Sequence, residues 1–257
     1  MKKIRQTLEK ALLEAGSIIK RSGGRPIEIQ YKSPVSLVTE TDKKVERTVI
    51  DIIHRQFPDH SILAEESEPE GDSSSKWIID PIDGTTNFVH RLPMSCVSIA
   101  FEEKGVVKVG GVWNPFQGEW FWAELGKGAS LNGKKIRVSK TKTLKESLLV
   151  TGFPYDRRER ARYYLDFMEA FMLQTQGIRR LGSAALDLCY LACGRFDGYW
   201  EFKLQPWDVA AGALIAKEAG ARLSDFRGKP MNIYGHETLA SNGLIHGEML
   251  KVIQEHL

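Results

Sequence analysis

A chain of 257 residues with 42% apolar and 27% charged side chains has enough apolar material for a large core, as one domain or two tightly joined ones. The formal net charge is only +3, and basic and acidic residues alternate along the chain. A nucleic-acid binder concentrates its positive charge, whereas the basic clusters here are pairs (Lys2-Lys3, Lys134-Lys135, Arg157-Arg158, Arg179-Arg180), so direct nucleic-acid binding is not expected.

Cys96, Cys189 and Cys193 lie in apolar surroundings without a CxxC pair. An odd cysteine count with no secretory signal predicts reduced thiols and a cytoplasmic location. No apolar run is long enough to span a membrane, and six scattered histidines argue against a structural zinc site.

Ile4, Leu8, Leu12, Ala15 and Ile19 recur at helical spacing and predict an amphipathic helix over 2–20, broken by Ser22-Gly23-Gly24. Thr39-x-x-Asp42 is a capping signal for a second helix, with Val45, Val49, Ile52 and Ile53 as its buried stripe and Pro58 just beyond its end. Residues 61–64 and 77–79 are short strands, and the unbroken apolar character of the second suits a central position in a sheet. The stretch 94–123 is strand-rich. Strands at 97–101 and 106–112 flank a Glu-Lys-Gly turn, Trp120-Phe121-Trp122 follow another glycine, and Asn132-Gly133 marks a further tight turn. Beyond residue 140 helix and strand alternate: helices at 163–171, 183–192 and 209–219, a strand at 196–202, and a short helix closing 241–257. The sum is an α+β or layered α/β enzyme with a soft boundary, dividing 1–140 from 141–257.

The chemistry concentrates in Asp80-Pro81-Ile82-Asp83-Gly84-Thr85-Thr86. Asp80 is expected to end its apolar strand at a sheet edge facing a crevice, with the chain turning through 82–84. A helix starting at that turn points free N–H groups at whatever the acids surround, and such a terminus attracts phosphate. Anion-binding amides beside two carboxylates make charge sense once hard divalent cations are added. Mg²⁺ takes oxygen ligands, keeps some waters and commonly pairs carboxylates with a substrate phosphate. Glu65-Glu66 after the first short strand and Asp208 behind Trp207 complete the acidic set. Taken singly, the glutamates read as a solvated loop and Asp208 as a helix N-cap. Together these parts predict hydrolysis of a phosphate ester.

At this point the chain resembles the inositol monophosphatase family of lithium-sensitive, Mg²⁺-dependent phosphomonoesterases. The resemblance rests on Ala64-Glu65-Glu66-Ser67, on 77–88 with its Asp80-Pro81-Ile82-Asp83-Gly84-Thr85-Thr86 run, and on Trp207-Asp208-Val209-Ala210-Ala211-Gly212. Leu37-Val38-Thr39-x-x-Asp42 and Gly182-Ser183-Ala184-Ala185 add to it, in family order across most of the chain. It implies an α-β-α-β-α layered sandwich, with an N-terminal antiparallel sheet region, a C-terminal mixed α/β region and a homodimeric assembly. It implies two or three Mg²⁺ ions held by Glu65, Asp80, Asp83, Asp208 and the Ile82 carbonyl, with Asp42 orienting outer waters. Gly84 and Thr85 then contact phosphate through backbone N–H groups. Asp83, Gly182, Ser183, Ala184, Glu201 and Asp208 line the substrate. The nucleophile is a metal-activated water, oriented by Glu65 and Thr85, with Asp83 in the catalytic set and Asp80 bridging the ions. An aspartyl-phosphate route is disfavoured, because its DxD pair directly after a strand is replaced here by acids three apart across Pro81. Two positions depart from the family pattern: Ser36 stands where Asp or Asn is frequent, and Arg91 where Gly is usual.

The resemblance favours inositol 1-phosphate as substrate. Fructose 1,6-bisphosphate (as a dual activity), a nucleotide 3′-phosphate such as adenosine 3′,5′-bisphosphate, and NADP are the alternatives. Arg179-Arg180 reads either as a salt-bridged rim or as a contact for a second phosphate. A different class of role is that of a protein partner in transcription antitermination. Trp113, Trp120 and Trp122 read as core packing first and as a dimer face second.

Overall fold

The protein was analysed as a computed structural model, which describes residues 1–23, 29–33 and 36–257. Helix α1 (Lys2–Ser22) is followed by the short antiparallel pair β1 (Ile29–Ser33) and β2 (Ser36–Thr39), then by α2 (Glu40–His54). A seven-stranded sheet comes next in the chain. It is built from β3 (Ser61–Ala64), β4 (Ser75–Asp83), β5 (Cys96–Glu103), β6 (Val106–Asn114), β7 (Glu119–Glu124), β8 (Gly128–Leu131) and β9 (Lys134–Lys135), lying side by side in that order. Only β3–β4 is parallel. The five-residue helix α3 (Thr85–Val89) sits between β4 and β5.

The second half supplies β10 (Leu148–Thr151), α4 (Arg157–Met172), β11 (Gly177–Arg179), α5 (Ala184–Ala192), β12 (Gly198–Phe202), α6 (Pro206–Glu218), β13 (Arg222–Ser224), β14 (Glu237–Ser241) and α7 (His246–Gln254). Its sheet runs in the order β11-β10-β12-β14-β13, with the first three strands parallel. Their carboxyl ends therefore open on one side, where crevices form in parallel sheets.

Strand alternation assigns each face of a sheet to a separate core. On the first sheet Ile79, Val97, Ile99 and Val109 pack with Leu8, Leu12, Val45 and Val49 of α1 and α2. Ile78, Ala100, Val112 and Phe121 face the other way, onto α5 and α6. On the second sheet Val150, Tyr199 and Ala240 meet α5 and α6, while Leu149, Trp200 and Leu239 meet Tyr164, Phe167 and Phe171 of α4 and Met249 of α7. The result is the α-β-α-β-α sandwich, with α5 and α6 as its middle layer. Close approach is built in at Gly110, where a Cβ would lie 2.9 Å from the Ala211 Cα of α6.

The structure departs from the sequence reading in several places. The strand that holds Asp80 does not end there: β4 runs on to Asp83 through a bulge. Nor is Asp80 at a sheet edge, since β3 and β5 flank its strand. The short strands β1, β2, β8 and β9 have no counterpart in the sequence reading, nor do β10, β11, β13 and β14. Ser241, expected to open the last helix, ends β14, and the helix covers only His246–Gln254. Trp113, Trp120 and Trp122 pack on the α1 side of the first sheet, Trp122 buried and the other two partly so.

Candidate active site

In β4 Asp80 lies opposite Ser98 of β5 and Asp83 opposite Cys96, so the strand carries one residue more than its partner between them. Such a bulge re-aims side chains at the end of a strand. Asp80 is 1% exposed, and its Oδ1 meets no hydrogen-bond donor. Gly84 follows at φ +87° as the N-cap of α3. A Cβ there would fall 2.8 Å from the Met94 carbonyl oxygen, so both the backbone and the space demand glycine. The Thr85 hydroxyl sits 3.0 Å from the Ile82 carbonyl oxygen and 3.3 Å from Asp42 Oδ1. Asp42 is fixed from behind by the predicted capping box, its Oδ2 accepting from the Thr39 N–H at 2.8 Å and the Thr39 hydroxyl at 2.5 Å.

Asp83 is held from the other half of the molecule. Its Oδ2 accepts from the Ser183 hydroxyl and from the Ala185 N–H, both at 2.7 Å. Ser183 is the N-cap of α5, so the start of that helix grips the carboxylate. Asp208 is the third residue of α6, not its N-cap, and its Oδ2 accepts from the Gln205 N–H at 2.6 Å. Glu65 leaves β3 with its N–H bonded to the Ile79 carbonyl at 3.2 Å, and the Glu66 N–H is anchored by the buried Glu46 carboxylate at 2.8 Å. Glu201, on β12, is buried and accepts from the Tyr199 hydroxyl at 2.7 Å. Asn87 ties the rim together, donating to the carbonyls of Met94 (2.7 Å) and Leu181 (2.8 Å).

These acids feel one another. Burial pushes the Asp80 carboxyl well above the usual range, and Glu65, Asp83 and Asp208 push it further. Burial raises Asp208 in the same way, with Asp83 as the strongest neighbouring charge. Asp83 rises to about 6 through burial, restrained by its bonds to Ser183 and Ala185. Asp42 rises to about 6, again mainly by burial. Glu201 rises to about 7 by burial, with Tyr199 and Arg180 holding it down.

Packing acids this way, one of them with a partnerless oxygen, is costly without a cation, and hard divalent ions fit the donor set. Among the described residues no three Asp, Glu, His or Cys side chains are drawn together closely enough to grip an ion unaided. Carboxylates not closed into a finished ligand set suit an ion that keeps waters and takes phosphate oxygens. Glu65, Asp80, Asp83 and Asp208 are the side chains that would hold such an ion, with the Ile82 carbonyl nearby.

The hydroxyl of Ser183, expected to line the substrate, is engaged with Asp83 and the Leu186 N–H. Gly182 adopts φ +87° at the turn before α5, and Ala184 is buried in that helix's first turn. Arg91 has φ +60°, the left-handed region that explains why glycine is usual there. Of Ser36 only the strand backbone is described. Tyr199, Asn87, Glu46 and Gly152 were missed. Asn87, Glu46 and Gly152 act through contacts distant in sequence, whereas Tyr199 acts on Glu201 two residues along the same strand; the motif position of Asn87 and that i, i+2 spacing were the available signals.

The sequence matches the inositol monophosphatase family over residues 1–257. The chain belongs to this family. It is 47% identical to an inositol-1-monophosphatase of Synechocystis over 95% of this chain and 86% of that protein. It is 41% identical to the Nus factor SuhB of Pseudomonas aeruginosa, over 96% of this chain and 94% of that one. Among solved structures, a Thermotoga maritima IMPase superposes with a TM-score of 0.91 at 40% identity, covering 100% of this chain and 98% of that one. The SuhB protein of Bartonella henselae gives 0.94 at 36% identity and 99% coverage of both. This family member is a phosphoric monoester hydrolase with the layered fold that its motifs imply.

Proposed function

We propose that the protein hydrolyses inositol 1-phosphate to inositol and phosphate, using Mg²⁺ and a water nucleophile without a phosphoenzyme. The observation that carries this is Asp83, clamped between the bulged end of β4 and the N-terminus of α5, beside the partnerless oxygen of Asp80. When bound, Mg²⁺ lowers the pKa of a water and offsets charge on the leaving alkoxide. Glu65, Asp80, Asp83, Asp208 and the Ile82 carbonyl hold two or three ions, and Asp42 orients outer waters. The Thr85 hydroxyl donates toward Ile82 O and Asp42 Oδ1, which leaves its oxygen to accept a hydrogen bond from the attacking water and orient it, and Glu65 takes up the water's proton. Backbone N–H groups of Gly84 and Thr85 take the phosphate. Glu201 and Asp208 accept from polyol hydroxyls, with Gly182, Ser183 and Ala184 forming the adjoining wall. Lithium inhibition, a homodimer and a cytoplasmic location belong to the same reading.

Phosphate release from inositol 1-phosphate, fructose 1,6-bisphosphate, adenosine 3′,5′-bisphosphate and NADP, with and without Mg²⁺, tests it. A metal-dependent rate highest on inositol 1-phosphate supports the assignment. A preference for one of the others moves the substrate, and no turnover of any refutes the proposal. The likeness to Nus factor relatives favours a second role as a protein partner in transcription antitermination. An Asp83→Asn protein that still rescues a deletion phenotype would speak for that role.

A further inference from the structure

A cleft of about 410 Å³ opens along α6 and shares no residue with the site acids. It is lined by Ala213 and Leu214 of α6, by Val106 at the start of β6 and Leu125 just beyond β7, and by Ile233 and Tyr234 of the loop after β13. Its volume falls within the roughly 300–1,000 Å³ of ligand clefts, and an apolar wall with a few convergent polar groups is their usual make-up. Val106, Leu125 and Tyr234 are exposed, and apolar side chains gathered in one place mean more than the same residues scattered. The far wall is set in advance. Tyr234 donates to Glu102 Oε2 at 2.9 Å and accepts from Lys76 Nζ at 3.1 Å, which ties its loop to the first sheet.

The charge at this cleft is one-sided. Lys217, one turn beyond Ala213 on α6, also lines it, and its ammonium makes no hydrogen bond or ion pair among the described residues. Lys104 and Lys229, beside the lining residues Gly105 and Pro230, are unpaired in the same sense. The neighbouring acids are committed elsewhere. Glu102 serves Tyr234 and Lys76, and Glu124 serves Lys127 and Arg5. Glu218 accepts from the Gly126 N–H at 2.8 Å and the Gly128 N–H at 2.7 Å. Glu103, next to Glu102 along β5, faces the opposite side of the sheet. We propose that the cleft binds a small amphiphilic anion, an apolar chain or ring carrying one carboxylate or similar group. The apolar body covers Ala213, Leu214 and the exposed wall, and the head meets the Lys217 ammonium. A neutral or cationic molecule of the same shape leaves that ammonium unmatched.

Calorimetric titration of the full chain with decanoate, and with decyltrimethylammonium as the same chain on a cation, tests this. Decanoate should bind at a single site with a Kd of about 1 mM or tighter, and the cation at least about tenfold more weakly. Lys217→Met keeps the stem and removes the charge, so it should weaken decanoate about fivefold, as an exposed ion pair allows, and leave the cation unchanged. Lys217→Glu should reverse the preference. Ala213→Phe should fill the cleft and abolish binding of both, with circular dichroism as the folding control. Should that variant fail to fold, the two Lys217 variants decide, since their side chain is exposed and unpaired. Equal affinity for the two amphiphiles overturns the proposal, as does the absence of saturable decanoate binding or an affinity indifferent to Lys217→Met. A molecular mass that changes in Lys217→Glu, read by light scattering in a protein that does not bind decanoate, also overturns it and makes the cleft a contact between chains.

Discussion

Gly152 follows β10 and gives the most direct handle on the polyol end of the site. A Cβ built there falls 2.1 Å from Glu201 Oε1 and 2.3 Å from both its Cδ and Oε2. Gly152 does not occupy the left-handed region, so the backbone accepts alanine and the whole perturbation falls on Glu201. Ordinary contact requires the carboxylate to retreat by about 1 Å, a misplacement that in a preorganised site costs up to about 100-fold. The retreat also breaks the 2.7 Å bond from the Tyr199 hydroxyl. Overpacking of this kind destabilises by about 1–3 kcal/mol, which a domain stable by about 5–15 kcal/mol survives. Gly152→Ala is therefore expected to fold, with KM for inositol 1-phosphate raised about 10- to 100-fold. Turnover of p-nitrophenyl phosphate, whose leaving group has no further hydroxyls, should stay within about threefold, because Glu201 has nothing there to bind. Paired kinetics on the two substrates, with a urea melt as the folding control, make the comparison. An unchanged KM for inositol 1-phosphate would refute the placement of Glu201 in the site. An equal loss on both substrates would show that the substitution acts on the metal end instead.

Asp83→Asn should fall below a tenth of wild-type turnover with the fold retained, read by phosphate release and circular dichroism, since Asp83 joins the two halves through Ser183 and Ala185. Asp80→Asn should also abolish turnover yet stabilise the chelator-treated protein by about 1–3 kcal/mol, because it removes a buried carboxyl with a partnerless oxygen whose ionisation burial and the neighbouring acids oppose; urea melts in a chelator check it. His246 is fully buried between the hydroxyls of Ser224 and Ser241, each at 3.0 Å, and burial lowers its pKa from 6.5 to about 4. Its contribution to stability is full above pH 6.5 and is lost as pH falls toward 4, by roughly 3 kcal/mol. His246→Asn should flatten the stability-versus-pH curve over that window in denaturant melts.

Much of this was legible in the chain because the signals are local. The stripe Ile4, Leu8, Leu12, Ala15, Ile19 and the Thr39-x-x-Asp42 cap are short-range patterns, and the helices follow them. Asp80 through Thr86 declared itself in the same way, since the acids, the turn glycine and the helix start are contiguous. What escaped notice depends on partners far away. Leu148–Thr151 is four residues long and is made a strand by β11 and β12 on either side. Glu237–Ser241 carries little β signature and is held between β12 and β13. Gly152 matters only because Glu201 lies against it. The Ser183 hydroxyl serves Asp83 and the helix cap, which no spacing in the sequence announces.

The site acids share a device that the motifs alone do not show. Asp42 is the third residue of α2, Asp208 the third residue of α6, and Asp83 is bound by the first turn of α5. Three helices from two layers therefore direct their N-termini at one region. Each terminus brings partial positive charge and unsatisfied N–H groups, which favour carboxylates and offset part of their mutual repulsion. Each carboxylate spends one oxygen on that anchoring: Asp42 Oδ2 on Thr39, Asp83 Oδ2 on Ser183 and Ala185, Asp208 Oδ2 on Gln205. The helix starts thus fix the direction of the acids before any ion binds, and fixed ligands lose less freedom when it does. Asp80, on the strand, has no such anchor at its Oδ1, and this is the oxygen with most to gain from a cation. The same geometry explains why the two halves of the chain cannot divide the chemistry between them: the acid with the most constrained environment, Asp83, belongs to one half and its donors to the other.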